Sequence, residues 1–331
     1  MRREIVLLAL HKAFSERPSA MRQVFDWCGG EVEYLCDLTV RELSDAFGEN
    51  ASAVIASLGS LEEAESVAGE LEKNDVEVIS TVDPRYPRKL QTLLDLPPIL
   101  YVSGDVSITD DSLAVGVCGS RQASPDGLGF ARRAGEIAAE LDVVLVSGGA
   151  RGVDSEAHLG ALDSNGKTVI VLAEGIAKYR MASRLDSATR ANTLLLSQFY
   201  PRHIWQVSRA MARNATICGM SEAMIVVEAG DKGGTLAAGK ECLKQGKRLL
   251  VVDYPDRESR APGNRTLLRK GGEPIRSPDE LRSILPGLSA VYVEDGMVEG
   301  EQFSLIDPST AEPVSIREES GDYLTQDCKH G

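Results

Sequence analysis

Apolar residues recur along this chain at two spacings, and the change from one to the other divides it. In Leu61–Leu71 they fall at Leu61, Ala64, Val67, Ala68 and Leu71, one stripe of a 3.6-residue helical repeat. Similar stripes begin at Ile5, Leu8 and Ala9 and run over Leu35–Phe47 and Ala51–Leu58, with Gly48 between the last two. Residues 1–75 are therefore expected to form a small helical domain. The texture then changes. Val76–Val82 alternates like a strand, Asp83-Pro84 and Tyr86-Pro87 break it, and Pro97-Pro98 precedes a short run at Ile99–Val102. From Leu113 onward the chain carries short apolar runs at Leu113–Cys118, Val143–Ser147, Thr168–Ala173, Thr193–Ser197, Ala223–Val227 and Arg248–Val252. Such runs suit strands buried on both faces of a parallel sheet. Helical patterns lie between them. In Pro125–Leu141 the positions Phe130, Ala134, Ile137, Ala138 and Leu141 share a face, and Pro125 suits a first turn. This alternation predicts an α/β fold for residues 76–286: a doubly wound, Rossmann-like, mostly parallel sheet. Residues 287–331 read as an acidic tail, with a hairpin turn expected at Glu294-Asp295-Gly296.

Composition narrows the setting. The chain has 331 residues, 43% of them apolar, enough for a large core. No apolar run approaches the ~20 residues that span a bilayer. The run Ile5–Leu10 is too short for a signal-peptide core and no small-residue cleavage site follows it. Cys28, Cys36, Cys118, Cys218, Cys242 and Cys328 form no CxxC pair, and no His stands at zinc spacing from them. The expectation is a cytoplasmic protein of buried thiols, without metal or cofactor and without membrane association.

Charge changes the picture more. The net charge of −14 disfavours a binder of phosphate polymers. Its distribution does not. From Leu288 to Gly331 ten acids face only Arg317 and Lys329, a net of −8. From Phe199 to Arg276 fourteen Lys/Arg face eight Asp/Glu, a net of +6. A basic segment inside an acidic chain leaves room for an anion-binding face.

The candidate chemistry lies where strands end in glycines. Gly119-Ser120-Arg121 follows the first core strand, and Gly127-x-Gly129 enters the next helix. Backbone N–H groups and a helix N-terminus there suit an anion, and Arg121 brings a planar guanidinium. The spacing is not the dinucleotide fingerprint, and an ordinary tight turn explains it equally well. Gly148 and Gly149 end the next strand, before Asp154 and His158, one helical turn apart and expected to form a structural hydrogen-bonded pair. A third turn joins Arg213-Asn214 with Lys232-Gly233-Gly234-Thr235, and a fourth carries Asn264 and Arg265. Several such turns on one sheet edge would make an elongated groove suited to a polymer of phosphates. A solvated basic face is the plainer alternative. No catalytic constellation stands out.

These residues resemble a known family. Asp83-Pro84-x-Tyr86-Pro87-x-x-Leu90 and Leu96-Pro97-Pro98-Ile99-Leu100-Tyr101-x-x-Gly104 are similar to the entry of the DprA/Smf DNA-processing core. Gly119-Ser120-Arg121, Ser147-Gly148-Gly149-Ala150-x-Gly152-Val153-Asp154, Arg213-Asn214-x-x-Ile217-x-Gly219-Met220-Ser221, Gly233-Gly234-Thr235 and Gly263-Asn264 follow in the family's order. The likeness covers roughly residues 80–276. It implies a Rossmann-like domain that binds single-stranded DNA, acts as a homodimer and delivers strands to a RecA-type recombinase during natural transformation. It also implies that Arg121, Arg213 and Asn214 line the DNA pocket, and that the N-terminal helices are SAM-like or helix-hairpin-helix-like. The family's Tyr-Pro after the third core strand is replaced by Lys178-Tyr179-Arg180-Met181, where Lys178 and Arg180 are phosphate contacts by position only. The family's C-terminal winged helix is not recognisable.

The sequence admits two rivals. LOG-type phosphoribohydrolases of the same superfamily carry a catalytic Glu where this chain has Ala238, and lack of a carboxylate argues against glycosidic hydrolysis. A nucleotide-binding sensor of a defence or signalling system would present a similar pocket.

Overall fold

The computed structural model describes residues 2–15, 17–109, 112–180, 190–255 and 261–288. The hairpin expected at Glu294-Asp295-Gly296 lies outside them, as does all of the acidic tail beyond Leu288.

Five helices open the chain: α1 (Arg2–Phe14), α2 (Pro18–Trp27), α3 (Val40–Phe47), α4 (Ala51–Leu58) and α5 (Leu61–Glu72). The stripe over Leu35–Phe47 is not one helix. A 3-10 turn occupies Val32–Asp37, and α3 starts afresh after Thr39. Thr39 Oγ1 accepts the Glu42 N–H at 3.3 Å, and the Glu42 carboxylate accepts the Thr39 N–H at 2.7 Å. This capping box needs extended backbone at Thr39, so the helical run must break there.

Among the described residues nine strands form one sheet in the order β1-β2-β6-β5-β4-β3-β7-β8-β9. They are β1 (Glu77–Ser80), β2 (Ile99–Ser103), β3 (Ala114–Cys118), β4 (Val144–Gly148), β5 (Thr168–Val171), β6 (Thr193–Ser197), β7 (Ala223–Val226), β8 (Arg248–Val252) and β9 (Glu273–Ile275). β1 and β2 pair antiparallel, as do β2 and β6, and every other pairing is parallel. The doubly wound, Rossmann-like α/β class expected from the apolar runs is the class observed. The connecting helices are α6 (Pro125–Glu140), α7 (Val153–Asp163), α8 (Val207–Gly219), α9 (Gly234–Lys244) and α10 (Pro262–Arg269), with a short α11 (Leu281–Ile284) after β9.

Two faces of this sheet are buried, as the unalternating strands require. The N-terminal helices share one apolar cluster with Tyr101, Ile170 and Leu172 of the sheet layer and Leu159 of α7. Several polar groups inside the core are satisfied locally. Tyr86 of the Asp-Pro-x-Tyr-Pro run donates its hydroxyl to the Pro97 carbonyl at 2.6 Å. Lys89 and Glu222 form a buried ion pair at 2.8 Å, and Glu222 also accepts the Ala114 N–H at 2.7 Å, fixing the start of β3. No described helix is long and apolar enough to cross a membrane.

Strand order positions the site. From β3 the chain winds outward through β4, β5 and β6, then returns to place β7 on the other side of β3. Helices and loops after β3 and β7 diverge there, and a crevice opens beyond their carboxyl ends.

Candidate functional site

The crevice is a cavity of about 870 Å³, lined from the ends of β3 and β7 and from α8 and α9. Gly119, Ser120 and Arg121 form one wall, Lys232 to Thr235 another, and Arg213 and Asn214 come from α8. A smaller cavity of about 220 Å³ adjoins it, and Arg121, Ala150, Trp205 and Arg213 line both.

The helix N-termini at this edge are not equivalent, and that of α8, with no side-chain cap and no acid in its first turn, brings Val207 to the cavity wall. α6 is capped by Ser124, whose Oγ accepts the Gly127 N–H at 3.1 Å. Glu228, buried after β7, accepts the Ser124 N–H at 2.9 Å and also the Ser124 hydroxyl. The positive end of α6 is thus answered within the protein. α7 has no side-chain cap, but Asp154 and Glu156 occupy its first turn. α9 has neither a side-chain cap nor an acid in its first turn. Its cap residue is Gly233, at φ +106°, a conformation that L side chains rarely adopt. The open amides of Gly234 and Thr235 therefore offer an uncompensated donor end, as the first turn of α8 also does.

Arg213 forms the floor. It is only 8% exposed and, among the described residues, takes part in no hydrogen bond or ion pair within bonding distance; its Nε is buried without a partner. Burial pushes its pKa down, against the opposing pull of Asp154, Cys118 and Glu174. Asp154, also buried, is raised by desolvation, with Arg213 pulling the other way. Gly148 makes this arrangement possible. A Cβ there would sit 1.8 Å from Arg213 Nη1 and 2.6 Å from Asp154 Oδ2. The glycine serves close approach of a side chain.

Arg121 is the opposite case. It is exposed, makes no hydrogen bond or ion pair to any described residue, and holds its guanidinium 5.2 Å from the centre of the Trp205 ring. Trp205 is itself 43% exposed. This cation–π pair stands between the two cavities. Lys232 and Lys240 add exposed cations on the α9 side.

The remaining candidates separate. Asn214 is buried and donates to the Gly234 carbonyl at 3.2 Å, tying α8 to the α9 turn. Gly149 opens onto the smaller cavity. Lys178 and Arg180 flank Tyr179, which lines that cavity, but neither lines it themselves, and Arg180 bends back to the carbonyls of Ala177 and Tyr179. Asn264 is not a phosphate ligand. Its Oδ1 accepts the Ala229 N–H at 2.8 Å and its Nδ2 donates to the Val227 and Val252 carbonyls at 2.8 Å. It clamps the ends of β7 and β8 together and is 2% exposed. The groove accordingly gathers three strand-end turns rather than four. The expected Asp154–His158 bond is also absent. His158 places Nε2 2.9 Å from the Gly148 carbonyl and Nδ1 2.7 Å from Thr168 Oγ1, and burial lowers its pKa to about 4. Helical spacing brought the two side chains to one turn, but the neutral ring bonds the sheet.

Some lining residues escaped the sequence reading. Arg151, Glu174 and Tyr179 line the smaller cavity. Desolvation raises Glu174, with Arg213 and Arg121 opposing it, and raises Tyr179 to about 12. Arg151 sits in the glycine run and was within reach of that pattern. Glu174 follows β5 without any motif of its own, whereas Tyr179 stands in the segment that replaces the family's Tyr-Pro and was passed over for its basic neighbours. Among the described residues no group of three or more His, Cys, Asp or Glu could hold a metal ion.

Known proteins share this sequence pattern and this fold. The family described as DNA recombination-mediator protein A matches residues 77–286. DNA processing protein DprA of Bacillus subtilis is 27% identical over 221 residues, 66% of this chain and 74% of that protein. Protein Smf of Escherichia coli is 30% identical over 217 residues, 64% of this chain and 57% of Smf, so the chain spans little more than half of that relative. DprA of Streptococcus pneumoniae shares the fold at TM-score 0.73 and 23% identity, over 88% of this chain and 99% of that one. DNA processing protein A of Helicobacter pylori, solved to describe its single-stranded DNA binding mode, gives a TM-score of 0.56 at 25% identity, over 64% of this chain and 95% of that one. With well over half of its length matching, the chain belongs to the DNA recombination-mediator protein A family, also called DprA/Smf.

Proposed function

We propose that this chain binds single-stranded DNA in the crevice between β3 and β7 and serves DNA processing. The observation that carries the reading is the pairing of an uncompensated α9 N-terminus with two guanidiniums, Arg121 and Arg213, that no described acid bonds directly. Phosphates answer both features. Trp205 offers a ring face to an unstacked base, which a duplex does not present. Delivery of strands to a RecA-type recombinase and action as a homodimer belong to the same proposal and rest on family membership.

The protein acts as a binder, without hydrolysing nucleotides. Ala238 is buried at the position a catalytic acid would take, and Glu228 is committed to Ser124. The test is fluorescence anisotropy with a labelled oligothymidylate of about twenty bases, beside a hairpin duplex and a nucleotide panel, over a range of salt. Tighter binding of the single strand, with a steep fall as salt rises, is the expected result. A shallow salt dependence with a nucleotide outcompeting the strand would replace DNA by a single nucleotide. Release of free base from nucleoside monophosphates would restore the hydrolase reading.

A further inference from the structure

The N-terminal helices carry a surface whose chemistry is the reverse of the crevice. Trp27 ends α2, Tyr34 lies in the 3-10 turn Val32–Asp37, and Phe47 ends α3. The Trp27 ring lies 6.5 Å from that of Tyr34 at an interplanar angle of 20°, and 5.0 Å from Phe47, edge to face. Trp27 is 46% exposed, Tyr34 52% and Val40, at the start of α3, 63%. Two exposed rings backed by the half-buried Phe47, which packs on the N-terminal apolar cluster, are unusual for a surface with no partner.

Its charge says which partner. From Asp26 to Glu49 seven acids face the single Arg41, a net of −6. Asp37 and Asp45 have weak exposed ion pairs with Arg2 and Arg41, and Glu42 closes the α3 capping box. Asp26, Glu31, Glu33 and Glu49 have no ion-pair partner among the described residues. α2 and α3 both end at the rings, and helix C-termini add negative potential there. Phosphate polymers and anionic membranes are repelled by such a field. Cations are drawn to it, and exposed Trp and Tyr faces hold guanidinium and ammonium groups.

We propose that the Trp27–Tyr34–Phe47 surface docks a basic, apolar segment of a partner protein, with Arg or Lys head groups over the exposed rings and apolar side chains against Val40. The rings give the apolar anchor and the acids steer the encounter. The inference stands apart from the DNA reading, because it uses none of the residues of the crevice.

The experiment uses the full chain and three labelled peptides followed by anisotropy. One has Arg pairs separated by Leu, one replaces every Arg by Glu, and one separates the Arg pairs by Gly and Ser. The Leu/Arg peptide should bind at least about tenfold more tightly than either of the others. Tyr34→Ala, and separately Asp26→Lys with Glu31→Lys, should weaken it by about fivefold or more, while Glu65→Lys on α5 changes it by less than about twofold. Oligothymidylate binding and the thermal transition of each variant report that the rest of the molecule is intact. Equal binding of the Gly/Ser-spaced peptide would reduce the surface to bulk charge and overturn the proposal. So would indifference to Tyr34→Ala. A dimer seen by sedimentation that Tyr34→Ala disperses, without peptide binding, would assign the surface to a second copy of this chain instead.

Discussion

Replacing Arg121 by alanine removes a guanidinium that the folded protein scarcely uses. It has no hydrogen bond or ion pair to a described residue, and its contact is with the Trp205 ring at 5.2 Å. An exposed cation–π contact is worth about 0.5–1 kcal/mol. A loss of that size lowers Tm by roughly 1–4 °C in a domain of this class. Binding is a different matter. A hydrogen bond from a charged group to phosphate contributes about 1.5–3 kcal/mol, which is roughly 10- to 150-fold in Kd. The loss should be similar across sequences, and the salt slope should fall by about 0.7 for one lost phosphate contact on a single strand. Arg121→Lys should restore part of the affinity, since an ammonium keeps the charge but not the planar fork. Anisotropy titrations of oligothymidylate at several salt concentrations, with a calorimetric scan of each variant, measure all of these. Unchanged affinity in a folded Arg121→Ala protein would refute the reasoning. A collapse of Tm would do so differently, by making Arg121 structural.

Three other expectations follow from the packing. Gly148→Ala places a Cβ 1.8 Å from Arg213 Nη1, so the guanidinium must move; stability should fall by about 1–3 kcal/mol and DNA affinity with it, and wild-type values in urea unfolding and titration would refute the close approach. Asn264→Ala strands the Ala229 N–H and the Val227 and Val252 carbonyls, and should cost about 3 kcal/mol or more in urea unfolding; a small loss of stability beside a large loss of DNA binding would return Asn264 to the groove. Buried His158, lowered from 6.5 to about 4, stays neutral while the unfolded chain takes up a proton. Its contribution is therefore whole above pH 6.5 and is lost as pH falls toward 4, about 3 kcal/mol at 1.36 kcal/mol per pKa unit; a urea midpoint flat across this range, or one whose slope survives in His158→Asn, would count against it.

The sheet was legible because its strands are buried on both faces. An apolar run such as Thr193–Ser197 has no other use between two helical patterns, and it is β6 residue for residue. β9 was not legible, since Glu273–Ile275 contains a proline and one buried side chain. The helix expected across Leu35–Phe47 failed because a stripe of apolar residues says nothing about a cap, and Thr39 with Glu42 overrode it. At the site, the glycine turns marked the right sheet edge, yet not the role of each residue. Asn264 and Gly148 occupy positions that sequence spacing assigns to a ligand. The structure gives Asn264 to the backbone of β7 and β8, and Gly148 to the guanidinium of Arg213. Trp205 meets Arg121 across more than eighty positions, a pairing that no local pattern records.

A parallel sheet decides where an acidic chain can receive a polyanion. Each helix that follows a parallel strand begins at the same edge, so the amide ends of α6, α7 and α9 are brought together by topology, with that of α8 beside them. Sequence then decides which of them stays positive. Glu228 and Ser124 close α6, and Asp154 and Glu156 offset α7. Only the Gly233 cap leaves α9 open among these three, beside Lys232 and Lys240. The net charge of −14 is unevenly spread along the chain, with +6 between Phe199 and Arg276. On the proposed reading, a bound strand would lie where an open helix end, an exposed guanidinium and a buried one coincide. Of these, the buried Arg213 carries its charge against desolvation with Asp154 as its main opposing pull, so a phosphate there would add to what Asp154 already supplies.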